Sequence, residues 1–65
     1  MSVTINGEKA EVAGKLLSDY LKEAGYDIRR IAVELNGEIV LKAQYEATCL
    51  RDGDTVEIVN FVGGG

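Results

Sequence analysis

Histidine is absent from this 65-residue chain, so no side chain has an unperturbed pKa near neutrality. The single cysteine, Cys49, has no imidazole to generate its thiolate and no second cysteine to form an internal disulfide or a metal cluster. Autonomous catalysis is therefore not expected, and "ATCL" predicts Cys49 as a small buried hydrophobe. Basic residues are also scarce. Seven Lys and Arg face eleven Asp and Glu, giving a formal net charge of -4, and Arg29-Arg30 is too short to be a basic patch. That balance argues against nucleic acid and against an anionic membrane surface as partners. No apolar run approaches the roughly 20 residues of a membrane-spanning helix, and "MSVTINGEK" lacks the regions of a signal peptide. The expected location is the cytoplasm, and the lone cysteine fits a reducing compartment.

What is present fits one small folded domain. The chain is 46% hydrophobic and 28% charged, a composition outside the disordered range, and its length leaves no room for a second domain. Asn6-Gly7 lies between "SVTI" and "EKAEV", and Asn36-Gly37 between "IAVEL" and "EIVL". Asn-Gly in that setting predicts a two-residue hairpin turn, because both central residues must take positive φ. Val3 and Ile5 then share one face of the first hairpin, and Ile31, Val33 and Leu35 share one face of the second. Between the hairpins, "KLLSDYLKEAG" places Leu17, Tyr20, Leu21 and Ala24 on one helical stripe. Gly25 is the expected left-handed residue past the helix end, and Gly14 is the best available N-cap, a weaker one than Ser or Asp. "KAQYEATCL" reads as a connection with room for a short helical turn, and "RDGD" as a turn rather than a metal site.

The order strand, strand, helix, strand, short strand, strand predicts an α+β fold, a mixed sheet with one helix packed across one face. In the last segment, "TVEIVNFV", Val56 and Ile58 are assigned to the core. Glu57, Val59 and Phe61 fall on the opposite face, where the apolar pair either forms an exposed partner surface or tucks Phe61 against the core edge as the strand twists. Periodicity decides neither this nor the strand order. The domain is expected to span residues 1–62, followed by Gly63, Gly64 and Gly65 as a flexible tail. Without side chains such a tail can thread a narrow channel and present one functional group, the terminal carboxylate. A partner could adenylate that group at the expense of ATP, and a sulfur donor could convert the acyl-adenylate to a thiocarboxylate. Three terminal glycines also fit a frayed end with no role.

"RRIAVELNGEIV" together with "LRDGDTVEIVNFVGGG" resembles the ThiS family of sulfur carriers in thiamine biosynthesis, within the ubiquitin-like β-grasp group. The resemblance covers the chain in length and element order, although Leu41 stands where many relatives carry proline. It implies a twisted sheet grasping one helix; the residues themselves offer no catalytic group and no metal site, and no bound cofactor is expected. It further implies that Gly65 is the residue adenylated and thiocarboxylated, and that Gly63 and Gly64 enter partner active sites. Phe61 and Val62, with Val59 on the same strand, become candidate partner contacts. The implied partners are an adenylating enzyme related to ubiquitin E1, a sulfur donor such as a cysteine desulfurase, and thiazole synthase as recipient. A carrier for molybdopterin synthesis, tRNA thiolation or cysteine synthesis, or a ubiquitin-like interaction module that carries nothing, are the alternatives.

Overall fold

A computed structural model describes residues 1–61; Val62, Gly63, Gly64 and Gly65, and with them the predicted tail and the last residue of the predicted domain, lie outside the described residues. Five strands, one α-helix and two 3-10 helices follow in the order β1 (Val3–Ile5), β2 (Glu8–Ala10), α1 (Leu17–Glu23), a 3-10 turn (Ile28–Arg30), β3 (Ile31–Leu35), β4 (Glu38–Val40), a second 3-10 helix (Lys42–Ala47) and β5 (Thr55–Asn60). The strands form one mixed sheet in the order β2-β1-β5-β3-β4. β5, the last strand among the described residues, is thus the central one, parallel to β1 and antiparallel to β3.

Both Asn-Gly turns form as predicted, with Asn6 at φ 50, Gly7 at φ 84, Asn36 at φ 53 and Gly37 at φ 86. They close two-residue loops between the paired residues Ile5 and Glu8 and between Leu35 and Glu38. Each asparagine also fastens its turn to β5. The Asn6 amide accepts from the Ile58 N–H at 2.7 Å and donates to the Ile58 carbonyl at 3.2 Å, continuing the ladder where β1 has turned away. Asn36 accepts from the Thr55 N–H at 2.9 Å and donates to Asp54 Oδ1 at 3.0 Å. "RDGD" is a turn whose carboxylates serve backbone donors: Asp54 Oδ2 accepts from the Arg51 N–H and Asp52 Oδ1 from the Ser2 N–H.

The core lies between the inner face of the sheet and α1. Val3, Ile5, Ile31, Val33, Val56 and Ile58 from the strands meet Leu17 and Leu21 from the helix, together with Tyr45 and Leu50. Strand alternation assigned these strand residues correctly; Leu35, at the end of β3, is only partly buried. The helix departs from the predicted stripe at its two ends. Ala24 is exposed because the helix stops at Glu23 and Ala24 is already its C-cap, whereas Ser18 is 4% exposed beside Leu17. Gly14 is not the N-cap. Leu16 occupies that position without a side-chain bond, and the Leu17 N–H donates instead to the Thr48 carbonyl at 2.7 Å, so a neighbouring backbone segment satisfies an otherwise orphaned donor.

At the other end of α1, Gly25 has φ +85. Its N–H donates to the Lys22 carbonyl and the Tyr26 N–H to the Leu21 carbonyl, the paired bonds of a Schellman motif. Nothing lies within 4 Å of a Cβ added at Gly25, so Gly25→Ala meets backbone strain alone. We expect a loss of about 1 kcal/mol, read as a lower urea midpoint with an unchanged m-value; an unaltered midpoint would refute the strain. The 3-10 turn at Ile28–Arg30, not anticipated from the sequence, is capped by Asp27, whose carboxylate accepts from the Arg29 N–H at 3.1 Å. Side-chain and backbone hydrogen bonds from Arg29, aided by the charges of Arg29 and Arg30, hold the Asp27 pKa below its usual value.

Candidate functional site

The face of the sheet turned away from α1 carries two kinds of surface. Register fixes its composition, since residues paired across strands point to the same side. Thr4 pairs with Lys9 and with Thr55, Glu34 with Ile39 and with Glu57, and Ala32 with Val59. One end of the face is therefore polar. The other end gathers Ala32, Val59, Phe61, Ile39 and, just past β4, Leu41.

Val59 is 56% and Phe61 52% exposed, and Ile39 and Leu41 are each 62% exposed. Of the two readings of β5, the structure gives the exposed patch: Phe61 does line a groove of about 260 Å³ together with Ile39, Leu41 and Tyr45, yet half of its surface stays in solvent. The Phe61 N–H donates to the carbonyl of Arg30, just before β3, at 2.7 Å, so the backbone pairing continues up to the last described residue. Of the residues singled out in the sequence, Val59 and Phe61 are thereby brought to one apolar surface at the exit of β5; Val62, Gly63, Gly64 and Gly65 lie outside the described residues.

Ile39 and Leu41 were not among the sequence candidates. Their signal was available in the turn: pairing Leu35 with Glu38 puts Val40 on the face of Val33 and hence Ile39 on the other. An exposed apolar surface of this sort is one that a protein, a ligand or a membrane can cover. The face itself presents apolar groups and carboxylates, a surface suited to binding. Among the described residues, no three His, Cys, Asp or Glu side chains are grouped to hold a metal ion, and no helix is long and apolar enough to cross a membrane.

Cys49 corrects an expectation. It is exposed because residue 49 forms an isolated antiparallel bridge with Leu16, and the neighbours that alternate inward are Leu17 and Leu50, both at 0% exposure. Native protein should accordingly consume one equivalent of a thiol reagent without denaturant. A thiol that reacts only after unfolding would contradict the placement.

A five-stranded mixed sheet that wraps one helix, with its last strand at the centre, defines an α+β protein of the ubiquitin-like β-grasp class. Within that class the comparisons point one way. Residues 3–65 match the ThiS family. The sulfur carrier protein ThiS of Thermus thermophilus is 41% identical over 63 residues, 97% of this chain and 98% of that protein. The crystal structure of the thiamine biosynthesis protein ThiS from Geobacter metallireducens superimposes with a TM-score of 0.79 at 35% identity, covering 100% of both chains. A thiazole synthase of Paramagnetospirillum magneticum is 44% identical over 66 residues, which span all of this chain and 20% of that protein. The chain belongs to the ThiS family.

Proposed function

We propose that this chain is a sulfur carrier of thiamine biosynthesis that works through Gly65 as its terminal residue. The observation that carries the reading is the 41% identity to a sulfur carrier protein over 98% of that protein's length. A thiazole synthase that contains a segment resembling the whole of this chain supports thiazole synthase as the recipient, since joining two functions in one polypeptide replaces an encounter between separate chains. β5 supports it as well. The strand is held on both sides and ends on an exposed apolar surface, where a partner can dock.

The chemistry proceeds in balanced steps. The Gly65 carboxylate attacks the α-phosphorus of ATP in an E1-like enzyme, forming the acyl-adenylate and releasing pyrophosphate. A sulfur nucleophile supplied through a cysteine desulfurase then forms the C–S bond as AMP leaves with the electrons of the broken C–O bond. If that nucleophile is a persulfide, a thiol reductant cleaves its S–S bond and frees the thiocarboxylate. The carrier contributes no acid or base. It contributes a side-chain-free acyl group.

High-resolution mass spectrometry of the C-terminal peptide from the native host tests this directly. Exchange of one oxygen for sulfur, placed on Gly65 by fragmentation and confirmed by alkylation, is the expected result. An unmodified Gly65, even after incubation with activating enzyme, ATP and sulfur donor, would overturn the carrier role. A deletion strain that grows without thiamine but loses molybdoenzyme activity would move the chain to a different pathway.

A further inference from the structure

The row next to the apolar end of the outer face holds Ile39, Glu34 and Glu57 side by side. Hydrogen bonding alternates along an antiparallel pair. Since Phe61 bonds Arg30 and Asn36 bonds Thr55, Glu34 and Glu57 form a hydrogen-bonded pair, with Cα atoms about 5.5 Å apart. Two like charges directly opposite destabilise a sheet. Neither glutamate takes part in any ion pair among the described residues, whose salt bridges engage Glu11, Glu23 and Asp27. Of the cations near this face, Lys9 on β2 is separated from Glu57 by β1, Arg30, opposite Phe61, is paired with Asp27, and Lys42 lines the groove beside Phe61. The fold thus keeps an uncompensated acidic pair where the exposed apolar surface begins.

We propose that Glu34 and Glu57 are the specificity-determining half of the docking face, receiving an arginine or lysine of thiazole synthase while Ile39, Val59 and Phe61 receive an apolar side chain beside it. The inference rests on the carrier reading. Charge complementarity selects the occupant: a cation between the two carboxylates relieves their repulsion and is held by both, and a guanidinium can bond them simultaneously. An apolar partner surface without a cation would leave the repulsion in place and is disfavoured. A pair at the rim of an interface acts chiefly on association rate and salt dependence.

Binding of the full chain to the thiazole synthase of the same organism is measured at low and at high salt for the natural protein, E34Q/E57Q, E34K/E57K and the same-face control K9Q. Expected are binding about fivefold to tenfold weaker for E34Q/E57Q at low salt, a flatter salt dependence, and a larger loss for E34K/E57K. K9Q should bind as the natural chain does. Because E34Q/E57Q removes repulsion, its melting temperature should not fall, so lost binding is not lost fold. Equal affinity and equal salt dependence for the natural protein and E34Q/E57Q would overturn the proposal. Thiocarboxylate on Gly65 is scored in the same preparations. A natural chain that carries sulfur and binds while E34Q/E57Q matches it removes only the acidic pair; a natural chain that does neither removes the carrier reading and the pair together.

Discussion

Deleting Gly64 and Gly65 is expected to abolish thiamine-independent growth in a strain that relies on this chain, while leaving the melting transition where it was. Two residues of extended chain span up to about 7 Å, so the deletion withdraws the terminal carboxylate by more than reacting groups can tolerate when they must meet at about 3 Å. The described fold is closed without these residues: the core residues all lie between Val3 and Ile58. Complementation and a thermal scan of the same variant check both halves. Normal growth would sink the carrier reading, and a large fall in melting temperature would show that the last glycines help to hold the fold.

Leu21→Ala should do the reverse, removing the fold and, with it, everything that depends on the fold. Leu21 has no exposed surface, and truncating a buried leucine costs about 2 to 5 kcal/mol through lost transfer energy and an unfilled cavity. A 65-residue domain has a total stability of about 3 to 10 kcal/mol, so this single change takes a large share of it. Val59→Ser on the exposed end of the outer face is the matched comparison, expected to lie within about 0.5 kcal/mol of the natural chain. Urea titrations of the two variants decide the matter. Comparable destabilisation at both positions would mean that the outer face at Val59 is buried as the core is.

That faces could be assigned at all from sequence reflects how local the governing physics is. An Asn-Gly turn needs positive φ at two adjacent residues, and the rest of each hairpin follows by alternation from Ile5 or Leu35. Leu17 and Leu21 likewise declared themselves by spacing. Strand order did not, because the parallel pairing of Thr4 with Thr55 joins residues at opposite ends of the chain and leaves no local periodicity. The misplacements have the same origin. Residue type points Cys49 inward, whereas a bridge to Leu16, 33 positions earlier, turns it outward. Residue type favours Gly14 as N-cap, but the Thr48 carbonyl, distant in sequence, serves the helix start. At the candidate site, Val59 and Phe61 were legible from alternation in β5. Ile39 and Leu41 join them only once β3 and β4 are placed beside that strand, and the facing of Glu34 and Glu57 is likewise a property of register between segments.

The position of β5 also has a mechanical meaning. A protein that is grasped by its end is pulled along its last strand, and here that strand runs down the middle of the sheet with β1 on one side and β3 on the other. Load applied at Phe61 is directed along the ladders and strains their hydrogen bonds together in shear, instead of peeling an edge strand away one bond at a time. The Asn6 amide adds a further tether at Ile58. A pull at the end of β5 is thus resisted by bonds loaded in parallel, and on the carrier reading the sheet would stay intact while a partner holds the chain end.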